Sequence, residues 1–234
     1  MDRNNRELRR WAVVALYAVA MAWLEAAAVY YLRTLTDRIE PHQRNPLPIA
    51  TGLGEVELVR ELATLLMLFA VGWLAGTTAR RRFGYALIAF GIWDIFYYVF
   101  LKVMTGWPQT LADWDVLFLI PLPWWGPIWA PVSIALLMIL WGTSVTQVQG
   151  PAIPRASEGK TLALGALGVV LALYVFMADA IRVADQGTAA LRAILPVGFN
   201  WPLFTMALMF MAVPVVDSGR HAWRKPNVRE TRED

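Results

Sequence analysis

Residues 80–104 read RRRFGYALIAFGIWDIFYYVFLKVM. Three arginines open the stretch, one acid, Asp94, interrupts the apolar run, and Lys102 comes near its end. A membrane-spanning helix needs about 20 mainly apolar residues, and 85–104 meets that length. Its arginine flank marks a cytoplasmic boundary, because Lys and Arg accumulate on that side. Working outward, the segments 11–34, 57–78, 125–146, 161–183 and 200–216 satisfy the same test. The expected fold is therefore all-α: a polytopic membrane protein with six transmembrane helices. Residues 1–10 form a basic N-terminus, 11–216 the six-helix membrane domain and 217–234 a charged tail.

Composition agrees. The 234 residues are 58% hydrophobic and 17% charged, with a mean hydropathy of +0.46. Soluble domains average about 45–50% apolar and about 25% charged. The first span is preceded by a basic segment and contains Ala18-Val19-Ala20, as a signal peptide would. Its apolar run continues through Tyr31, too far for a cleaved leader, so it reads as a retained helix.

Orientation follows from the connections. Arg3, Arg6, Arg9 and Arg10 precede the first span, Arg80–Arg82 the third, and Arg155 and Lys160 the fifth. Arg220, Arg224, Lys225, Arg229 and Arg232 follow the last. The alternate connections hold only Arg38, Arg44 and Arg192 outside the helix ends. This bias predicts both termini in the cytoplasm of a bacterial inner membrane. Trp107, Trp114, Trp124, Trp125, Trp129 and Trp201 fall at the outer ends, where amphipathic rings anchor at the headgroup level.

An internal repeat can be read as three in–out–in helical hairpins. Glu25 precedes Arg33 by eight residues, as Asp94 precedes Lys102, with tyrosine pairs between. Leu66-Met67, Leu137-Met138 and Leu208-Met209 recur every 71 residues, each after a Pro-containing outer connection.

Charge inside a membrane costs roughly 2.5–3.5 kcal/mol on insertion scales, so it usually faces the protein interior with a partner. Glu25, Glu61, Asp94 and Asp179 qualify. Asp94 lies about ten residues into its span, roughly 15 Å at 1.5 Å per residue, near the midplane. Gly91, Asp94, Tyr98 and Lys102 share one helical stripe. The outer half is expected to collect Arg33, Arg60, Glu61, Lys102, Asp179 and Arg182, with Asp113 and Asp115 above. Structural ion pairs would account for that cluster; Glu25 and Asp94, deeper and without an adjacent base, stand out as functional candidates. The segment 117–131, rich in Pro and Trp, cannot start a regular helix and is expected to be re-entrant or extended, a lid over an outward-facing cavity.

Several chemistries are excluded. With no cysteine there are no disulfides, thiolate zinc sites or iron–sulfur clusters, and the two histidines, His42 and His221, lie in polar connections. No P-loop, GxSxG, HExxH or GxGxxG motif occurs. No cofactor, metal or nucleic acid is expected; the lipid bilayer is, with partner membrane subunits or further copies of the chain beside it. The leading reading is a small transporter or ligand-binding membrane subunit, using Glu25, Asp94, Tyr98, Lys102 and Asp179 around an outward-facing polar pocket. A structural subunit of a larger complex is one alternative. The other is an enzyme for a lipid, isoprenoid or quinone-like substrate, with Arg33, Lys102 and Arg182 on the head group and Asp94 or Glu25 as base.

Overall fold

A computed structural model of the chain describes residues 3–36, 52–147 and 155–223. In order, the elements are α1 (Arg3–Leu35), α2 (Gly52–Ala75), α3 (Ala79–Thr105), β1 (Trp114–Phe118), β2 (Trp124–Pro127), α4 (Trp129–Gln147), α5 (Arg155–Val183), a short 3-10 turn (Ala184–Gln186), α6 (Thr188–Ala193) and α7 (Trp201–Trp223). Among the described residues, all the α-helices but α6 are long and apolar enough to cross a membrane, which makes six spans. Their outward residues are apolar: Leu16, Leu74 and Val103 are each at least 70% exposed. A water-soluble monomer rarely shows such a surface; hydrocarbon accepts it. The chain is a multi-pass membrane protein.

Local chemistry fixes the ends of α3. The Thr78 hydroxyl caps its start by accepting the Arg81 N–H at 3.3 Å. Gly106, at φ 77°, closes it in the left-handed conformation that favours glycine. Helix α3 is also the hub. Helices α1, α2 and α4 all pack on it, whereas α1 and α2 scarcely touch each other, and α5 pairs with α7. Close approach comes from small residues: a Cβ at Gly91 would sit 2.6 Å from the Ala135 carbonyl oxygen, and one at Gly168 2.6 Å from that of Ala207. The glycine face of α5 therefore meets α7, not α3.

Three like hairpins are not what these contacts describe. The connections differ as well: α3 and α4 are joined through a β-hairpin, α5 and α7 through the 3-10 turn and α6. The first connection, with Arg38, His42, Arg44 and Pro46–Pro48, lies outside the described residues, as do most of the tail and His221's side chain.

The β-hairpin is the departure from an all-α chain. The expectation of extended backbone over 117–131 holds as far as Pro127, where β1 and β2 pair antiparallel. It fails beyond: α4 starts at Trp129 with Pro131 in its first turn, the one place in a helix where a missing N–H costs nothing. The hairpin is wedged among the helices. Asp115 and Ile128 are fully buried and Trp125 is 1% exposed. Trp107 is also buried, under the Arg33 guanidinium at 4.5 Å from the ring centroid. Trp107 and Trp125 are thus core residues and not the interfacial anchors expected of them.

Candidate functional site

The charged residues of the hairpin end form a polar cleft of about 90 Å³ between α1, α2, α3 and β1. Glu25, Arg33, Glu61, Asp94 and Tyr98 line it, together with Glu57, Arg60, Trp93 and Tyr97. Four elements distant in sequence bring them together.

Most of these groups are committed to holding the hairpin or the helices. Arg33 donates to Asp115 at 2.9 Å, and the same carboxylate oxygen accepts the Val116 N–H at 2.9 Å. Both Glu61 oxygens accept the Leu119 N–H, at 3.1 and 3.0 Å. One strand end is therefore tied to α1 and the other to α2, which satisfies polar groups that would be costly to leave unmade in hydrocarbon. Glu25 pairs with Arg60 across to α2 and accepts the Thr64 hydroxyl at 3.1 Å. Arg60 also grips Glu57 through two bonds, at 2.8 and 2.5 Å. The expectation that Glu25 has no base near it is thus corrected: the base is on another helix, where sequence spacing cannot register it.

Asp94 differs. It is 8% exposed, and its Oδ2 is buried with no hydrogen-bond partner. The charge acting on it is that of Asp115, a like one. Beside it, the Trp93 indole N–H is likewise buried and unpartnered.

Lys102, Asp179 and Arg182 lie away from this cleft. Lys102 is exposed and donates to the Gly106 carbonyl at 2.8 Å, closing its own helix end. Asp179 pairs with the exposed Arg182 on α5 and accepts the Val197 N–H at 3.2 Å, which pins the chain entering α7. The single expected outer cluster is therefore two: one at α1–α2–α3–β1, one at the α5–α7 connection. Asp113 serves its own turn, accepting the Gln109 and Thr110 N–H groups and the Thr110 hydroxyl. Burial would raise its carboxyl, but those three donors win and hold it below the usual aspartate value of 3.8.

A second, larger cavity of about 880 Å³ runs between the α3–α4 and α5–α7 pairs. Its walls are apolar almost throughout, and Leu117, Phe118 and Trp124 of the hairpin close one end. Asp94 lines this groove as well as the cleft, so it sits in the wall between the two. Sequence reading identified Asp94 but not the groove, whose surfaces come from four helices that meet only in the fold.

At the opposite end of the bundle, Glu7 is 5% exposed and accepts from Arg10 and Arg81, each at 3.0 Å, and from the Tyr85 hydroxyl at 2.9 Å. This knot ties α1 to α3, with each carboxylate oxygen of Glu7 held by a donor. In sequence Glu7 sits among arginines and reads as solvated.

Compared with known protein families, characterised proteins and solved structures, the chain matches none.

Proposed function

We propose that this chain is a ligand-binding membrane protein, a small transporter or the binding subunit of one, with Asp94 as the group that recognises the ligand. One observation carries the reading. Among the described residues, the other buried acids of the cleft, Glu25, Glu57, Glu61 and Asp115, each hold a cation or a hydrogen-bond donor. Asp115 also leaves its Oδ2 unpartnered but has Arg33, whereas Asp94, which lines both cavities, has a buried unpartnered Oδ2 and no cation. An unmet polar atom costs about 1–3 kcal/mol, a cost that a ligand carrying a donor would remove. In this reading Glu25, Glu61, Arg33 and Arg60 shape the cleft, and Tyr98 lines it beside Asp94. The two-carboxylate acid–base enzyme is disfavoured, because Arg60 and Thr64 occupy Glu25.

The membrane is the bacterial inner membrane, with both termini cytoplasmic and the hairpin end outside. The arginine-rich connections support that orientation.

The test is recovery of the full chain in native lipid discs, with mass spectrometry of what accompanies it. Wild type is expected to retain a defined small molecule or lipid that Asp94→Asn loses, while Glu25→Gln, with its structural role, reduces yield instead. Equal retention by Asp94→Asn sinks the reading. Stoichiometric protein partners without a bound small molecule would instead support a structural subunit, a reading favoured by α7, of whose apolar window only 11% is buried.

A further inference from the structure

The groove and the unpartnered atoms at its closed end specify a chemistry. Groove walls from Phe83, Leu87, Val169 and Phe176 offer no hydrogen bonds over most of their length. Its two charged residues are Arg80 and Asp94, both on α3. Fourteen residues at 1.5 Å rise place them about 21 Å apart, against a hydrocarbon core of about 30 Å. The volume lies within the range of ligand pockets, about 300–1,000 Å³. An apolar space of this length and volume, set between two helix pairs inside the spans, accommodates a lipid chain running along the helices.

Two polar atoms wait where the groove ends. The Asp94 Oδ2 needs a donor, and the Trp124 indole N–H, also buried and unpartnered, needs an acceptor. A hydroxyl is a group that can donate to a carboxyl oxygen and accept from an indole N–H at once. The one basic residue of the groove lining, Arg80, stands at the far end, so an anionic head group at Asp94 finds no cation in the groove wall. Around the junction, Trp124 stacks on Phe176 at 6.3 Å and 4°, and Phe118 packs on Trp93 and Trp124 at 6.2 and 5.1 Å. The wall at the head position is therefore aromatic.

We infer that the groove takes from the bilayer a single-chain lipid ending in an uncharged hydroxyl, an isoprenoid alcohol or a long-chain phenol, with the hydroxyl held between Asp94 and Trp124. The inference rests on the reading of Asp94 given above and names its ligand class. Phospholipids and fatty acids are disfavoured, because no cation of the groove lining stands beside Asp94.

The test uses the full chain in lipid nanodiscs equilibrated with tritiated geranylgeraniol, with empty discs as background. Saturable binding is expected, displaced by a long-chain alkylphenol but not by palmitate or by added dioleoylphosphatidylglycerol. Stronger displacement by the phenol than by unlabelled prenol assigns a ring-bearing head, and the reverse an aliphatic one. Val169→Trp and Ala166→Phe, which fill the groove, are expected to abolish binding, and Asp94→Ala to weaken it at least tenfold. Both groove positions are on α5, remote from the ion pairs, and helical content and elution of each variant are checked first. Binding that survives both filling variants, or that palmitate displaces as well as the phenol does, overturns the inference. No saturable prenol binding, with an Asp94-dependent molecule still recovered from native discs, also overturns it while leaving the proposed function standing.

Discussion

Arg60 illustrates how a buried charge is judged by its neighbours and not by its depth. It holds Glu25 on α1 and Glu57 one turn away, and its side chain is 23% exposed. Arg60→Met leaves two acids without their cation, and removing one member of a buried pair costs about 3–5 kcal/mol. That loss should appear as a lower unfolding midpoint in detergent, partly recovered in Arg60→Met/Glu25→Gln. Lys102→Met, by contrast, removes an exposed charge that closes its own helix end and acts on Asp113, and should change stability by no more than about 0.5 kcal/mol. Equal effects would refute the division between cleft and periphery. Asp113 gives a pH-dependent counterpart. Its folded value is lowered, so its contribution is present above the unfolded value and lost as pH falls through the folded one, below 3.8. Amide hydrogen exchange in residues 106–113 should accelerate across that window, after correction for intrinsic rates, and be fast at all pH values in Asp113→Ala. At this scale the sequence was informative about which charges are buried: Glu25, Arg33, Glu61, Asp94 and Tyr98 do converge on one cleft. It was silent about partners, because Arg60 to Glu25 and Arg33 to Asp115 are pairings across elements.

The β-hairpin is the element that most separates pattern from structure. Proline-rich sequence indicated extended backbone, and that part was legible because proline fixes φ and removes a donor. What was not legible is that the segment pairs with itself and is pinned inside the bundle. That outcome depends on Arg33 and Glu61 arriving from other helices. Of the three hairpins read from the sequence, α3–α4 and α5–α7 pack as pairs, whereas α1 and α2 each pack on α3, and close approach there is set by small residues. Those residues allow a direct test. Gly91→Ala places a Cβ 2.6 Å from the Ala135 carbonyl oxygen, and Gly142→Ala places one 2.8 Å from the Ile88 side chain besides crowding the Gly84 backbone. Each should cost about 1–3 kcal/mol by overpacking. Gly52→Ala, with nothing within 4 Å of the added methyl, should be neutral or slightly stabilising. If all three behave alike in thermal unfolding, the α3–α4 interface is not as close as described.

For the molecule as a whole, the distribution of function depends on which end faces outward. The Glu7 knot ties α1 to α3 at the arginine-rich end. The cleft and hairpin occupy the other end, and the groove with Asp94 at its closed limit joins them within the spans. If the arginine-rich end is cytoplasmic, polar solutes reach the cleft from outside and lipids reach the groove from within the bilayer, so one acid separates two routes of different polarity. The chain has no cysteine, which makes single-cysteine labelling free of background. Thr110, exposed in the turn before β1, and Thr77, exposed between α2 and α3, report on the two ends. In intact cells, a membrane-impermeant maleimide should label Thr110→Cys at once and Thr77→Cys only after lysis. The reverse pattern would turn the molecule over and make the cleft cytoplasmic. The groove would keep its place between the helix pairs, but a soluble ligand of the cleft would then have to come from inside the cell.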